Sequence, residues 1–335
     1  MLEEACAAPA AVAEMLAADV SDYFALGAQL RSQPPRSMLT IARGSSDHAA
    51  HYMAYLIMAR LGRLVTSLPM SLITLYQSRL SCDDLVSFAF SQSGQSPDLV
   101  APIHFFRAGG ARTVAFVNDA TSPLAHAAQW VFPLHAGAET SVAATKSYIA
   151  QLAAGARLVA AWQGDRELQD AVARLPEVLE RAVRQDWSPA IDALVEADRL
   201  FVIGRGTGLA VAMEAALKFK ETCRLHAEAV SAAELRHGPM ALVGAGFPLL
   251  IFTQNDESRA GVAQLATELA ARGADVLLAG AAAAGATILP TEGAHPAIEP
   301  LLFAQSFYRM ANALSLARGH DPDRPPHLHK VTETL

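Results

Sequence analysis

The stretch LFVIGRGTGLAVAMEAALKFKETCRLHAEAVSAAELRHGPM, Leu200 to Met240, is the one from which the organisation of this chain is read. It opens with an apolar run, residues 200–203, of the length and composition of a buried strand. It then turns through Gly204, Gly206 and Gly208 into a long Ala-rich segment with helical periodicity. Along that helix Glu214, Lys218 and Glu221 stand at i, i+4 and i+7, on one stripe of a surface otherwise filled by Val211, Ala212, Ala215, Ala216 and Phe219. A Glu–Lys pair at this spacing is common on solvated helix faces and contributes only a few tenths of a kcal/mol. Here the sequel argues for more: His226, Glu228, Glu234 and His237 crowd into a short segment that ends at a Gly-Pro break.

Outward from this stretch the same rhythm repeats. In the first half, residues 38–42, 64–67, 85–90, 113–117 and 130–134 read as short strands separated by polar turns and helices. In the second half the corresponding runs are 200–203, a short segment near 228–230, 248–253, 275–278 and 286–289. Such alternation predicts parallel sheets covered on both faces. TIARGSSDHAAHYMAYLIMARL, from Thr40, also lies beside FVIGRGTGLAVAMEAALKFKET, from Phe201, as strand, Arg-Gly, small residues and Ala-rich helix. The expectation is an α/β protein with two copies of one domain. An N-terminal helical segment (1–34) precedes a first domain (35–165), a charge-rich helical linker (166–197), a second domain (198–320) and a C-terminal tail (321–335). Residues 10–31 read as one amphipathic helix, a covering or subunit-contact element.

Composition excludes several classes of function. At 335 residues the chain has room for two domains, and a net charge of -7 offers no general attraction to nucleic acid or an anionic membrane. Its longest apolar runs, 240–253 and 276–290, are broken by Gly or Pro and fall short of the ~20 residues of a spanning helix. The first residues are acidic where an export signal carries positive charge. Cys6, Cys82 and Cys223 are far apart, in no zinc-binding spacing, and suit reduced thiols in a cytoplasm. No metal is expected; the pairs His48/His51 and His327/His329 have no carboxylate company.

In a parallel sheet, ligands sit at the carboxyl ends of the strands, where helix N-termini present amides and the positive dipole end. The first half places Ser45 and Ser46 at one such end, and Ser91, Gln92, Ser93 and Ser96 at another. Five hydroxyls and one amide at two matching positions make a donor-rich cup for a phosphate, although serine turns also serve simply as caps. No GxxxxGK[ST] loop occurs, and Leu209 stands where a dinucleotide fingerprint needs its third glycine. The island AETSVAATK, residues 138–146, opens a further helix, and the Pro-stiffened RPPHLHKVTETL closes the chain.

SQSGQSPD, AETSVAATK, EAALKFKE, HAEAVSAAELRHGP and the terminal HLHKVTE resemble, in order and spacing, the isomerase half of glutamine-fructose-6-phosphate aminotransferase, which is built from two sugar isomerase (SIS) domains. The resemblance covers nearly the whole chain. It implies two tandem SIS domains, each a five-stranded parallel flavodoxin-like sheet flanked by helices, in a homodimer. It places the sugar phosphate on Ser45, Ser46, Ser91, Gln92, Ser93 and Ser96, with Val142 and Ala143 near the sugar. Glu221 matches the proton-transferring base, Glu214 and Lys218 its supporting charges, and Lys330 the lysine that engages the substrate carbonyl. His237 matches a ring-opening histidine that the neighbouring subunit contributes in the family.

The departures bear on function. Leu2 stands where the aminotransferase has the cysteine nucleophile of its glutaminase domain, so ammonia from glutamine is not expected. Arg236 replaces the usual Lys before the histidine, and Arg43 stands where a smaller residue is usual. The chain is most similar to stand-alone glucosamine-6-phosphate deaminases of the SIS type, which imply a cofactor-free, cytoplasmic enzyme. Galactosamine-6-phosphate deaminase, fructosamine-6-phosphate deglycase, aldose–ketose phosphate isomerase and a non-catalytic sugar-phosphate sensor remain the alternatives. Whether Lys330 forms a Schiff base is left open by its residue type.

Overall fold

The computed structural model describes residues 1–18 and 20–330. The chain begins with helices α1 (Leu2–Ala17) and α2 (Ser21–Ser32). It continues through β1 (Ser37–Ile41), α3 (Gly44–Leu61), β2 (Thr66–Ser67), α4 (Ser71–Thr74), β3 (Leu85–Ser91), α5 (Pro97–Ala108), β4 (Arg112–Val117), α6 (Pro123–Ala127), β5 (Trp130–Pro133) and α7 (Lys146–Gln163). Three short helices follow, α8 (Arg166–Ala173), α9 (Leu175–Ala182) and α10 (Ser188–Leu194). The second half contains β6 (Arg199–Gly204), α11 (Gly208–Cys223), β7 (His226–Ser231), β8 (Pro248–Phe252), α12 (Arg259–Ala271), β9 (Asp275–Ala279), β10 (Thr287–Leu289) and α13 (Glu299–Ala317), with two 3-10 turns, Glu234–His237 and Pro239–Leu242, after β7.

The fold is α/β, with two five-stranded parallel sheets flanked by helices. Their orders are β2-β1-β3-β4-β5 and, read from the other edge, β7-β6-β8-β9-β10, which is the same doubly wound topology twice. The strands read as continuous apolar runs because both faces are covered: every residue of LVSFAFS in β3 and PLLIF in β8 is buried. By contact the described residues form two units. One comprises Ala10–Glu139, Lys146–Ala173 and residues 329–330; the other comprises Met1–Pro9, Thr140–Thr145 and Arg174–Leu328.

In the first unit a file of rings crosses the sheet face. Phe90 stacks on Phe116 at 4.5 Å, Phe116 on Phe132 at 5.3 Å, and Tyr23 of α2 meets Phe132 at 4.3 Å. Helix α7, whose residues are nearly all buried, packs against α2 and α3. A Cβ on Gly27 would stand 2.9 Å from the Ala161 carbonyl, so only glycine allows α2 this approach. In the second unit α11 packs on α13, with Phe219 edge-on to Phe307 at 5.1 Å and Phe252 stacked on Phe303 at 6.0 Å.

The N-terminal helix expected over residues 10–31 is two helices. The first starts at Leu2, ahead of the expected residue 10, and runs through Pro9, a residue that removes a helix hydrogen bond. Pro9 has no N–H for the carbonyl of Ala5, and that carbonyl instead accepts from Nε2 of Gln305 at 2.8 Å. The second starts at Ser21, with Asp22 in its first turn. The segment expected near 228–230 is the full edge strand β7, paired with β6 from Arg199↔His226 to Gly204↔Ser231. Residues 331–335 of the terminal motif lie outside the described residues.

Candidate functional site

Strand order brings the two serine turns together. β1 and β3 are hydrogen-bonded neighbours, and the chain reverses direction across the sheet between them, so the turns after Ile41 and Ser91 open at one switch point. Ser45 and Ser46 occupy the first turn of α3, an 18-residue helix whose N-cap, Arg43, provides no side-chain cap. Its first amides are thus not satisfied by a side chain, the condition under which a helix start binds an anion.

The second turn has a rigid frame. Ser91 is buried, and its Oγ accepts from the amide of Gly94 at 2.9 Å; Ser93 Oγ accepts from the amide of Gln95 at 3.3 Å. Gly94 adopts φ +65°, and a Cβ there would stand 2.1 Å from Ser122 Oγ. Gln92, Ser93 and Ser96 are half-buried at the rim. Two contacts absent from the sequence reading connect this region. Arg43 Nε donates to buried Asp98 at 2.9 Å, joining the start of α3 to the first turn of α5, and Gln151 Nε2 of α7 donates to Ser46 Oγ at 3.0 Å.

The equivalent turn of the second sheet is built differently. Asp256 accepts from the amide of Ser258 at 2.9 Å, from Ser258 Oγ at 2.6 Å and from Gln254 Nε2 at 2.6 Å, just before α12. A carboxylate of the chain itself already faces that helix start, which repels a further anion. In the first repeat the carboxylate at the equivalent helix start, Asp98, is neutralised by Arg43, and the turns around it carry hydroxyls.

The charged stripe of α11 is a buried cluster. Lys218 and Glu214 are each 1 % exposed; the ammonium lies 3.4 Å from Glu214 Oε1 and 2.5 Å from Glu221 Oε2. Burial works to lower the proton affinity of Lys218, but the fields of Glu214 and Glu221 together outweigh it and raise the pKa above the usual lysine value. Tyr308 of α13, fully buried, donates from its hydroxyl to Glu214 Oε1 at 3.0 Å. Sequence reasoning missed Tyr308, which looks like an ordinary core aromatic; the signal was that a buried phenol needs a polar partner.

Glu221 is the cluster's outlet to solvent, its side chain 21 % exposed. A cavity of about 750 Å³ opens beside it, walled by Leu217, Leu225, Pro326 and Leu328 and by the cationic or titratable groups of Lys220, Arg224, His226 and His327. His237 does not line this cavity; it is exposed on the 3-10 turn after β7.

Lys330 is half-buried, and its Nζ lies 2.9 Å from Oε2 of buried Glu139, which also accepts from the amide and hydroxyl of Ser147 at the start of α7. Val142 and Ala143 belong to a different contact group. The amide of Val142 reaches the carbonyl of Asp323 at 3.5 Å, and Glu4 Oε1 accepts from the amides of Thr140 at 2.5 Å and Ser141 at 3.2 Å. Glu4, in the first turn of α1, is a second residue that the pattern did not single out. Among the described residues no group of three or more His, Cys, Asp or Glu is placed to hold a metal ion, and no helix is long and apolar enough to cross a membrane.

Comparison with known proteins identifies the family. A family model described as SIS domain matches residues 32–161 and 193–281. Glutamine–fructose-6-phosphate aminotransferase [isomerizing] of Aeropyrum pernix is 32% identical over 99% of this chain and 56% of its own, and that of Symbiobacterium thermophilum 34% over 88% and 51%. The chain thus spans about half the length of these relatives. A crystal structure from Silicibacter pomeroyi DSS-3, of a candidate phosphosugar isomerase, shares 42% identity with a TM-score of 0.92 over 96% of this chain and 99% of that one. Glucosamine-6-phosphate deaminase of Thermotoga maritima shares the fold, at 21% identity and a TM-score of 0.78 over 99% of each chain.

Proposed function

The chain belongs to the SIS domain family, and from that premise we propose that it deaminates an amino-sugar phosphate, converting glucosamine 6-phosphate to fructose 6-phosphate and ammonia. The observation that carries the reading is the 2.5 Å contact of Glu221 with a buried ammonium, which gives a partly exposed carboxylate a fixed orientation. One such carboxylate can move one proton between adjacent carbons. In this reading the hydroxyls of Ser45, Ser46, Ser91, Ser93 and Ser96, with Gln92, bind the phosphate, and Val142 and Ala143 stand near the sugar. His237 of a neighbouring subunit in a homodimer assists ring opening.

On the open-chain aldehyde, Glu221 removes the proton from C2 to give an enolamine and returns it to C1. The product is a C2 imine, and water hydrolyses it to the ketone and ammonia. Lys218 stabilises the carboxylate each time it is ionised, Glu214 keeps Lys218 charged, and Lys330 binds the open-chain oxygens. In dilute ammonia, mass action favours this direction, amine release. The reading needs no cofactor, and it places the enzyme in the cytoplasm, where its three cysteines stay reduced.

The test is to offer a panel of amino-sugar phosphates and follow ammonia together with ketose phosphate. Release from the gluco epimer supports the reading; equal release from the galacto epimer, or ketose without ammonia, overturns the substrate. Glu221→Gln is expected to abolish turnover and keep phosphosugar binding. A parent protein that binds but never turns over is a sensor. A second reading, removal of a larger amine from a fructosamine 6-phosphate, is favoured by the apolar wall of Leu217, Leu225 and Leu328 beside Glu221, which a bare hexose does not require.

A further inference from the structure

The carboxylate of Glu214 meets two donors at one atom. Oε1 lies 3.4 Å from the Lys218 ammonium and 3.0 Å from the Tyr308 hydroxyl, while Lys218 stands closer, at 2.5 Å, to Glu221. Lys218, Glu214 and Tyr308 have almost no access to solvent. A desolvated carboxylate takes donors wherever it finds them, because an unmet one costs several kcal/mol. With Tyr308 removed from consideration, the better-buried Glu214 is the stronger competitor for the ammonium, since Glu221 has water as an alternative. The observed asymmetry runs the other way.

We propose that Tyr308 is a positioning residue: its hydroxyl supplies Glu214 with a second donor and so leaves the Lys218 ammonium turned toward Glu221, the group that faces the cavity. It acts at a distance from any substrate, through two intervening side chains. The hydroxyl comes from α13 and the other three groups from α11, so the packing of these helices sets how one positive charge is shared between two acids. The inference rests on the proposed function only in taking Glu221 as the base; the sharing of the ammonium is a property of the free protein.

The experiment uses the intact chain and needs no substrate. NMR of isotope-labelled lysine ammonium groups reads the coupling across each N–H···O bond to the acceptor's carboxyl carbon. In Tyr308→Phe, which keeps the ring and its packing, the Lys218 coupling to Glu221 is expected to weaken and that to Glu214 to strengthen. In Glu214→Gln the coupling to Glu221 is expected to persist, and adding Tyr308→Phe to that background to change nothing further. Where turnover is measurable, Tyr308→Phe should lower kcat about tenfold at unchanged KM, equivalent to ~1.4 kcal/mol in the barrier. Couplings in Tyr308→Phe identical to the parent's, with only a lower melting temperature, overturn the proposal and leave Tyr308 a packing residue. Couplings that shift as expected in a protein with no turnover on any amino-sugar phosphate count against the proposed function alone and uphold this inference.

Discussion

Lys330 holds its ammonium 2.9 Å from Oε2 of Glu139, a carboxylate with no exposed surface that is itself anchored by two bonds from Ser147. Under the proposed function, this contact holds the lysine as a donor to the open-chain oxygens and not as a Schiff-base nucleophile.

Borohydride added during turnover is therefore expected to leave Lys330 unmodified, as mass spectrometry of the tail peptide would show. Glu139→Gln should loosen the lysine and raise KM, with a stability loss of ~1–3 kcal/mol from the disturbed bonds to Ser147. A reduced substrate adduct on Lys330 in the parent protein contradicts this role.

Replacing Lys218 by Met leaves Glu214 ionised and buried with its cation gone. The expected cost is ~3–5 kcal/mol, read from the urea midpoint at constant slope, together with loss of turnover. The double variant Lys218→Met with Glu214→Gln should regain much of the stability and none of the activity, since the charge imbalance is relieved but Glu221 stays unsupported. A single variant as stable as the parent would show that Glu214 is not ionised in the fold.

Gly94→Ala combines a left-handed backbone with a Cβ 2.1 Å from Ser122 Oγ. At least ~2 kcal/mol of destabilisation is expected, from backbone strain and overpacking together. The displaced turn should also weaken binding of a sugar phosphate, measured by calorimetry on protein that is still folded. Ser122 caps α6, accepting from the amide of Ala125 at 3.3 Å, so it has little freedom to yield.

Burial pushes the Cys223 thiol up to about 11, only partly offset by a hydrogen bond with Thr222 and the charge of Arg318. In the unfolded chain the thiol ionises near its ordinary value of 9.0, and it then disfavours folding. The sign is loss of stability as pH rises above that value, levelling off beyond about 11, worth on the order of 2–3 kcal/mol. Denaturation curves of Cys223→Ala across this window should be flatter than the parent's. Cys6, which is exposed, should react with thiol reagents first in the folded protein.

Much of the architecture was legible before any coordinates. Continuous apolar runs such as those of β3 and β8 occur where both faces of a strand are covered, and helices between them force parallel pairing. Boundaries were less legible. Pro9 marks a helix end by local rules, yet α1 continues through it because Gln305, from the far end of the chain, satisfies the carbonyl that proline abandons. Likewise β7 carries His226 and Glu228 among small residues, and its identity as a strand comes from the edge of β6.

The candidate site divides in the same way. Periodicity alone determined that Glu214, Lys218 and Glu221 share a helix stripe, because 3.6 residues per turn permits no other arrangement, and turn chemistry placed the serines at strand ends. What only the tertiary structure decided was which of those groups keep their charge to themselves and which share it. Asp256 accepts from Ser258 at the helix start of the second repeat, Glu139 holds Lys330, and Tyr308, 94 residues along the chain from Glu214, donates to the acid that competes for Lys218. Such partnerships follow from where helices and turns come to rest, and a buried charge has its chemistry set by whatever donor or acceptor is nearest once water has been removed.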